Sequence, residues 1–555
     1  MPRRIVTLVR LGRTAAVAGA LLLPAAVQAA PPAATPIDGR PPLAPTGDNR
    51  DPLPDPKAPR IELGKVELGA RPDVTIREIR FLGAGVPPNV GKAAQRFVGK
   101  PASADNLARL AGAMTRAYSR SSVALFTLVI PEQDLSDGIV EVASAEGYIA
   151  GVTLSGETGR GEKGSGPTPL IRRMASTLPG KRPLPRSRFE RTLGNIGDIP
   201  GVSVTPTLAL TGEPGAVALG LGIDAKKPTL GLGFSTRTSP YVEDGIVEAN
   251  ARGTSLLRSG DETRLTGAAA VNFKSLLYVA GSHVTPIGFE GTRAEISAAA
   301  LRTRPKRLAI DGDAWSVGFG VSHPLIRSTR RNLILAARLD HLDSKNALFG
   351  STLAAERTWT ASGSLAFRMT EERTVLGGRF GVSKGLDIWG ADVPAGVGET
   401  GFLYADAGIE ANQAIGKVAV LRLAAAGRWT RDRLPAAQRF NVGGATFGRA
   451  FDEGLVAGDR GGAGFAEFAL RPLKTGKLAQ SEIYGFADYA DVTLLARPAN
   501  PRTGYRLGSW GGGVRLSYAD NATIGLEVAD AWKQPAPGFD QGWRVALSWK
   551  LSIRP

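Results

Sequence analysis

Apolar and polar side chains alternate along most of the chain after residue 228. In the last segment Trp543, Val545 and Leu547 fall on one face of an extended chain, whereas Arg544 and Ser548 fall on the other. A period of two is the pattern of a β-strand, and barrel strands in a membrane turn apolar residues to lipid and polar residues to the lumen. Soluble sheets alternate too, but they rarely do so over such a length without helices. The pattern therefore predicts a transmembrane β-barrel over residues 228–555.

About sixteen alternating segments can be counted in this region. They lie near residues 228–236, 245–256, 261–272, 275–284, 291–302, 313–323, 331–341, 356–369, 373–384, 402–412, 417–431, 462–471, 481–490, 507–518, 521–530 and 539–553. An even number suits a closed antiparallel bacterial barrel, because every backbone donor must be paired in lipid. If short joins are periplasmic turns, residues 432–461 form an extracellular loop between the eleventh and twelfth strands.

Residues 74–225 have a different hydrophobic pattern, with apolar stripes at helical spacing between short strands. The stretch NLARLAGAMTRAY places Leu107, Leu110 and Met114 on one helical face, and the alternating stretches VALFTLVIP and GIVEVASAEG follow it. The order strand, helix, helix, strand, strand then recurs more loosely. We expect two small α+β domains, at residues 74–147 and 148–225, because each element is short and amphipathic.

The first residues are typical of a secretory signal peptide. Four arginines, Arg3, Arg4, Arg10 and Arg13, precede an apolar run and the small residues around Ala29. The apolar run is short for a membrane-spanning helix. We expect cleavage of residues 1–29, followed at residues 30–73 by a proline-rich linker that cannot bury a core.

Charge and composition exclude several kinds of functional site. The formal charge of +17 falls to +13 without the four leader arginines (17 − 4), and no basic tract or recognition helix indicates nucleic-acid binding. The chain has no cysteine, which excludes disulfides, thiolate metal sites and cysteine nucleophiles. Its three histidines, His283, His323 and His341, lack metal-ligand spacing, and Ser282 and His283 fall on opposite faces of a strand. We expect neither an enzyme nor a cofactor or metal site.

Motifs in the two α+β domains resemble a known family. The run that contains Tyr118, Ile130-Pro131-Glu132-Gln133, Asp137-Gly138 and Glu146-Gly147-Tyr148-Ile149 is similar to the first POTRA domain of the two-partner secretion transporters, the hemolysin secretion/activation family. FERTLGNIGDIPGVSV, residues 189–204, resembles the second POTRA domain. Ser119 to Val123 lack the Gly-Tyr that often precedes the second strand. The resemblance implies a client-binding region that includes Pro131, Gln133, Gly138, Glu146 and Gly147.

The loop before the twelfth segment is rich in glycine. FNVGGATFGRAFDEGLVAGDRGGAGFAEF, residues 440–468, lacks the Gly-Lys-Ser/Thr of a P-loop, so a phosphate cradle is excluded. In the resembled family the sixth extracellular loop folds into the barrel and presents an Arg-Gly-Phe/Tyr tip. The matching residues are Gly448, Arg449, Ala450 and Phe451 at the tip, followed by Gly458, Asp459 and Glu467.

The family pairs this arginine with an aspartate on the inner wall of the barrel. The matching strand motif is Phe486, Asp488 and Ala490, which share one face. The resemblance implies a charge-assisted pair between the Arg449 guanidinium and the Asp488 carboxylate. A solvated Arg449 and an unpartnered Asp488 are the alternative. Alanine replaces the family's glycine at Ala450 and Ala490.

The resemblance implies an outer-membrane transporter that needs no cofactor. By this implication its POTRA domains, in the periplasm, bind an unfolded, β-helical exoprotein, which the monomeric barrel secretes. Activation of the exoprotein is a further implication of the resemblance. Residues 31–60 are too proline-rich for the plug helix that family members often carry, so the loop alone is expected to close the pore. Two alternatives stay open: an outer-membrane protein insertase of the same superfamily, and a porin-like barrel with no protein client.

Overall fold

The computed structural model describes residues 71–553. It leaves out residues 84, 158–166, 214, 226–227, 240–241, 243–244, 306–309, 349–350, 474, 499–500, 520, 538 and 540. The expected signal peptide, residues 1–29, and most of the expected linker, residues 30–73, lie outside the described residues. No helix in the described part is both long and apolar enough to cross a membrane.

The first α+β unit carries a three-stranded sheet with two helices. Its elements are β1 (Arg71–Thr75), β2 (Glu78–Gly83), α1 (Pro88–Gln95), β3 (Pro101–Ala102), α2 (Ala104–Tyr118), β4 (Phe126–Val129) and β5 (Ile139–Glu146). The sheet order is β2-β5-β4, and β1 pairs with β3. Ser103 caps α2 by accepting the Asn106 amide, and Leu107, Leu110 and Met114 are buried as the helical stripe predicts.

The second unit repeats this arrangement. It comprises β6 (Tyr148–Glu157), α3 (Thr168–Ala175), α4 (Arg186–Gly197), β7 (Val202–Leu210) and β8 (Ala216–Ala225), with the sheet order β6-β8-β7. Only Gly147 separates β5 from β6. Leu125 of the first unit is buried in the core of the second, and its carbonyl accepts the Gly147 amide at 2.8 Å. The two units are therefore joined by packing as well as by the chain.

Sixteen antiparallel strands close into a barrel. They are β9 (Thr229–Ser235), β10 (Ile246–Thr254), β11 (Glu262–Ala270), β12 (Leu276–Ile287), β13 (Thr292–Thr303), β14 (Ile310–Arg327), β15 (Arg331–Leu348), β16 (Ser351–Thr370), β17 (Thr374–Leu386), β18 (Leu403–Ile415) and β19 (Ala419–Thr430), then, after a separate short hairpin of β20 (Phe440–Val442) and β21 (Val456–Gly458), β22 (Arg460–Leu470), β23 (Glu482–Leu494), β24 (Thr503–Tyr518), β25 (Ala522–Lys533) and β26 (Arg544–Ile553).

The barrel confirms the predicted fold class and strand number. β26 pairs with β9 from Ser548↔Ser235 to Ile553↔Leu230, which closes the ring. Each predicted segment corresponds to one strand, and β14, β15 and β16 extend well past their predicted ends, to 18, 18 and 20 residues.

The two faces of the barrel differ as the alternation predicts. Trp543 and Val545 each remain 62% exposed on the outer face, where lipid replaces water. Inward positions carry buried polar groups, among them Glu467 and Asp488. Since charges in a membrane are costly when unpaired, these groups need partners in the lumen.

The second α+β unit docks against one end of the barrel. The Arg327 guanidinium, at the end of β14, donates to both carboxylate oxygens of Asp198 at 2.7 Å. Arg191 of α4 donates to the Pro324 carbonyl, and the Leu170 amide of α3 donates to Ser259 Oγ in the β10–β11 turn. The loop that joins β19 to β22, residues 431–459, starts from the opposite end of the barrel.

Candidate functional site in the barrel lumen

The loop of residues 431–459 folds back into the barrel and places its tip against the inner wall. β20 and β21 form its stem, and residues 443–455 form the tip between them. Gly443 and Gly448 adopt φ values of +105° and +80°, which L side chains rarely adopt. A Cβ at Gly443 would also lie 2.4 Å from the Asp452 carbonyl oxygen. Glycine is therefore required for the tight turns that fold the tip inward.

Asp488 on β23 holds the tip through backbone amides. Its Oδ1 accepts the Gly448 N–H at 2.9 Å, and its Oδ2 accepts the Arg449 N–H at 3.1 Å. The Ser509 hydroxyl of β24 donates to Oδ1 at 2.6 Å. Asp488 is buried, so this set of donors compensates a carboxylate that has little access to water.

The Arg449 guanidinium has other partners than the sequence predicts. Its Nη1 donates to Glu467 at 2.7 Å and lies 3.4 Å from Glu527. Its Cζ lies 4.9 Å from the Phe465 ring centroid and 4.3 Å from that of Phe486. The predicted guanidinium–carboxylate pair between Arg449 and Asp488 is therefore wrong.

The geometry of the tip explains why the Arg449 guanidinium contacts Glu467 and not Asp488. The turn at Gly448 aims two successive N–H groups at Asp488, and the Ser509 hydroxyl adds a third donor, while the long arginine side chain extends past this aspartate to Glu467. The family resemblance places Arg449 and Asp488 in one site, but the contact between them runs through the main chain.

A network of ion pairs surrounds this arginine. Glu467 also accepts hydrogen bonds from Arg422 at 2.8 Å and from Arg515 at 2.7 and 2.9 Å. Arg422 and Arg515 both donate to Glu482 as well. Glu467 and Glu482 thus each have at least two cationic partners, which offset the cost of burying their charges.

Glu527 on β25 is the other carboxylate near the tip. It accepts the Tyr484 hydroxyl at 2.7 Å and pairs with Arg237, whose Nη1 also donates to the Arg449 carbonyl at 2.9 Å. The sequence did not predict this part of the site. Period-2 alternation marks Glu527 as an inward residue, but it does not reveal which distant strand or loop supplies its partner.

The remaining tip and wall residues pack tightly. Ala450 and Phe451 are fully buried, and the Phe451 ring centroid lies 6.3 Å from that of Phe539. Ala450 is not among the residues with positive φ, so alanine is compatible with the tip backbone where the family prefers glycine. Phe486 lies beside the guanidinium, and Ala490 is fully buried on the same strand.

Asp459 anchors the stem of the loop. Its carboxylate is fully buried and accepts the backbone amides of Leu434 at 2.8 Å and Leu495 at 2.6 Å. The Arg497 guanidinium donates to both of its oxygens and to the Val397 carbonyl. Asp459 therefore ties three loops together at the barrel mouth, those around residues 397, 434 and 497. Gly458 precedes it at the end of β21, and the sequence did not predict Arg497.

The residues predicted to bind a client make internal contacts in the first unit. Gln133 bridges two segments: its Nε2 donates to the carbonyls of Pro131 and Glu141, and its Oε1 accepts the Glu141 amide. Gly138 has φ +75°, and a Cβ there would lie 2.6 Å from the Thr75 carbonyl oxygen.

The other two predicted client-binding residues lie where the units join. Glu146 accepts the Tyr118 hydroxyl at 3.1 Å, and burial raises the pKa of that tyrosine, so the hydroxyl remains a donor. A Cβ at Gly147 would lie 2.9 Å from that of Leu125. A role of these five residues in client binding stays a prediction.

No metal centre is evident among the described residues. No group of three or more His, Asp or Glu side chains there is placed to hold a metal ion. His283 bonds to Thr263, His323 lies within reach of Thr292 and Arg191, and His341 packs between aromatic rings.

Comparison with known proteins finds a family model that matches part of the chain and distant relatives that match most of it. The family model described as "Haemolysin secretion/activation protein ShlB/FhaC/HecB" matches residues 289–516, which include the loop tip and Asp488. The heme/hemopexin transporter protein HuxB of Haemophilus influenzae is 21% identical over 457 residues, which cover 78% of this chain and 79% of that protein.

Solved structures share the fold. CdiB from Escherichia coli superposes with a TM-score of 0.67 at 16% identity, over 91% of this chain and 94% of that chain. CdiB from Acinetobacter baumannii superposes with a TM-score of 0.59 at 17% identity, over 86% and 90%. Residues 289–516 therefore match the haemolysin secretion/activation family, and the chain is similar over most of its length to outer-membrane two-partner secretion transporters.

Proposed function

We propose that this chain secretes a partner exoprotein: the two POTRA domains bind the unfolded exoprotein in the periplasm, and the barrel conducts it across the outer membrane. The observation that carries the proposal is the loop tip docked inside the lumen, held by Asp488 and by Arg449. A barrel whose pore is filled by its own loop suits a gated passage better than an open porin.

Edge strands of the POTRA domains are the proposed capture sites. β2 and β4 flank the first sheet, and β6 and β7 flank the second. An edge strand offers backbone N–H and C=O groups to an extended polypeptide, which adds to the sheet as a further strand. Val129 on β4 and Leu210 on β7 are exposed and would contact apolar side chains of such a client.

The ion-pair network supports reversible release of the tip. If Arg449 leaves, Glu467 keeps its bonds from Arg422 and Arg515. Glu527 likewise keeps the Tyr484 hydroxyl and Arg237. Removing one member of a buried ion pair is usually costly because it leaves a buried charge unpaired. Glu467 and Glu527 stay paired, so the tip can move without that penalty at these two carboxylates, whereas Asp488 keeps only the Ser509 hydroxyl.

Secretion by variant chains tests the proposal. We expect a neighbouring reading frame to encode a large, repeat-rich β-helical exoprotein. In the test, this chain and that exoprotein are expressed together. The wild type should release it into the medium. Arg449→Ala should abolish release, because transport is proposed to require that the tip docks as well as leaves. The barrel should still assemble, as judged by its heat-modifiable migration in gels. Normal release by this variant would contradict the proposed gate.

The same experiment separates the alternatives. An insertase would change the level of other outer-membrane barrels and release no exoprotein. A porin-like barrel would leave both unchanged. If the exoprotein reaches the medium in cells that lack this chain, the proposed transport function is wrong.

A further inference from the structure

The turn between β10 and β11, residues 255–261, displays two leucines and an arginine in a fixed conformation. The buried Asp261 carboxylate accepts the backbone amides of Leu256, Leu257 and Arg258 at 2.8, 2.9 and 2.6 Å. Leu256 is nevertheless 58% exposed and Leu257 is 77% exposed. A buried carboxylate that binds three successive amides holds both leucines outward, so their exposure is built into the turn.

These leucines lie at the outer rim of the barrel. A Cβ at Gly253 would lie 2.7 Å from Leu256 Cδ1. Gly253 shares the outer face of β10 with Ala251, which pairs with Leu230 and Leu265 on the neighbouring strands. Both of those leucines are exposed on the lipid side. The turn therefore places its apolar side chains where the barrel leaves the hydrocarbon.

The second POTRA domain adds a cation to this rim. The Leu170 amide at the start of α3 donates to Ser259 Oγ, which fixes the helix against the turn. One turn further along α3, the Arg173 guanidinium lies 5.8 Å from the ring centroid of Phe289, in the β12–β13 turn. Phe289 is 37% exposed. This cation–π contact holds the Arg173 guanidinium beside the turn.

The helical part of the second POTRA domain is basic, although the exposed Glu290 follows Phe289 and lies 3.8 Å from Arg191. Between residues 168 and 198 the chain carries seven cations and only two acids, Glu190 and Asp198. Asp198 is already paired with Arg327. The cations are Arg172, Arg173, Lys181, Arg182, Arg186, Arg188 and Arg191. The surplus positive charge favours an anionic partner, and the neighbouring apolar side chains favour one with acyl chains.

We propose that Arg173, Leu256, Leu257, Arg258 and Phe289 form a lipid-rim site for an anionic phospholipid of the periplasmic leaflet. The leucines and Phe289 contact the acyl chains, and the two arginines bind the headgroup phosphate. Such a lipid would bridge the second POTRA domain and the barrel and would fix the domain against the membrane. The site rests on the proposed periplasmic position of the POTRA domains, but lipid binding can be measured without any secretion assay.

Lipid titration of the full chain in a nonionic detergent tests this site. Short-chain phosphatidylglycerol and phosphatidylcholine are added separately, and the bound lipid is counted by native mass spectrometry. Phosphatidylglycerol should bind more tightly. Arg173→Gln together with Arg258→Gln should weaken its binding roughly thirtyfold, about fivefold for each cation. Leu256→Ser together with Leu257→Ser should weaken the binding of both lipids.

A matched control changes exposed cations far from the rim. Lys92→Gln together with Arg116→Gln, on α1 and α2, should leave phosphatidylglycerol binding unchanged. Heat-modifiable gel migration confirms that each variant retains its barrel. Equal affinity for the two lipids, or unchanged binding by the double arginine variant in a folded barrel, would overturn the proposal. Competition by inorganic phosphate or by poly-glutamate as strong as by phosphatidylglycerol would instead assign the surface to free anions or to acidic polypeptides.

Discussion

Asp488 and Arg449 hold the loop tip through separate contacts, so alanine at each position should release the tip independently. Asp488 binds the main chain of the tip, whereas the Arg449 side chain binds Glu467. Had the two side chains been paired with each other, either substitution would remove the same interaction. The double variant therefore distinguishes the two arrangements.

The free-energy cost to the docked tip follows from the hydrogen bonds that each substitution removes. Asp488→Ala deprives the Gly448 and Arg449 amides of their acceptor, and each buried unsatisfied donor costs about 1–3 kcal/mol. We expect a penalty of about 3 kcal/mol for the docked state. Arg449→Ala loses one charge-assisted bond of about 1.5–3 kcal/mol and its ring contacts with Phe465 and Phe486, and the total should again be near 3 kcal/mol.

A cysteine reporter measures tip release. The chain has no native cysteine, and Ala450 is fully buried in the docked tip. In an Ala450→Cys background, maleimide should react slowly with the otherwise unchanged chain. Each single variant should accelerate labelling roughly a hundredfold, because 1.4 kcal/mol corresponds to about a factor of ten in the open population.

The double variant gives the decisive result. The structure predicts that the two accelerations multiply, up to the rate of a fully released tip. A double variant that labels no faster than either single variant, at a rate well below that limit, would refute separate contacts and restore a direct pair. A Lys92→Gln variant in the same background should label at the parental rate.

Three further substitutions test the barrel mouth, the packing between the two POTRA domains, and the contact between the second POTRA domain and the barrel. Asp459→Ala removes the partner of Arg497 and of two buried amides, so the stability of the barrel mouth should fall by about 3–5 kcal/mol. The heat-modifiable transition should shift to lower temperature, and no shift would contradict the anchoring role. Leu125→Ala opens a cavity in the core of the second POTRA domain and should lower its stability by about 2–5 kcal/mol. Hydrogen exchange should rise in both α+β domains, and an effect confined to the first domain would contradict the shared packing. Arg327→Ala removes both bonds to Asp198, so limited proteolysis should cut between the POTRA domains and the barrel more readily, whereas an unchanged cleavage rate would contradict the docking contact.

Much of the fold could be predicted because its pattern is local. Alternation at a period of two indicates each barrel strand, and the stripe of Leu107, Leu110 and Met114 indicates α2. The strands β14, β15 and β16 were predicted too short, and in β15 the run Asp343-Ser344-Lys345-Asn346 bears polar side chains on both faces, which ends the alternation. Lipid no longer selects apolar residues there.

The site could be predicted only in part. The resemblance placed Arg449 and Asp488 in one site, and glycine spacing indicated a loop that turns inward. Which atoms meet depends on the turn at Gly448, which no local pattern reveals. The partners Glu527 and Arg497 come from a distant strand and another loop, so their roles emerge only when the barrel closes.

Secretion through a chain whose tip is cross-linked to the wall tests the central claim most directly. Cysteines replace Phe447 in the tip and Phe465 on β22, whose ring centroids lie 6.1 Å apart, and a short reducible bis-thiosulfonate reagent joins them. In the control chain, cysteines replace Asn441 and Ala457, which pair across the stem hairpin. The account predicts that cross-linking stops release of the exoprotein only in the tip-to-wall chain and that reduction restores it. Undiminished release through a fully cross-linked tip would contradict the account.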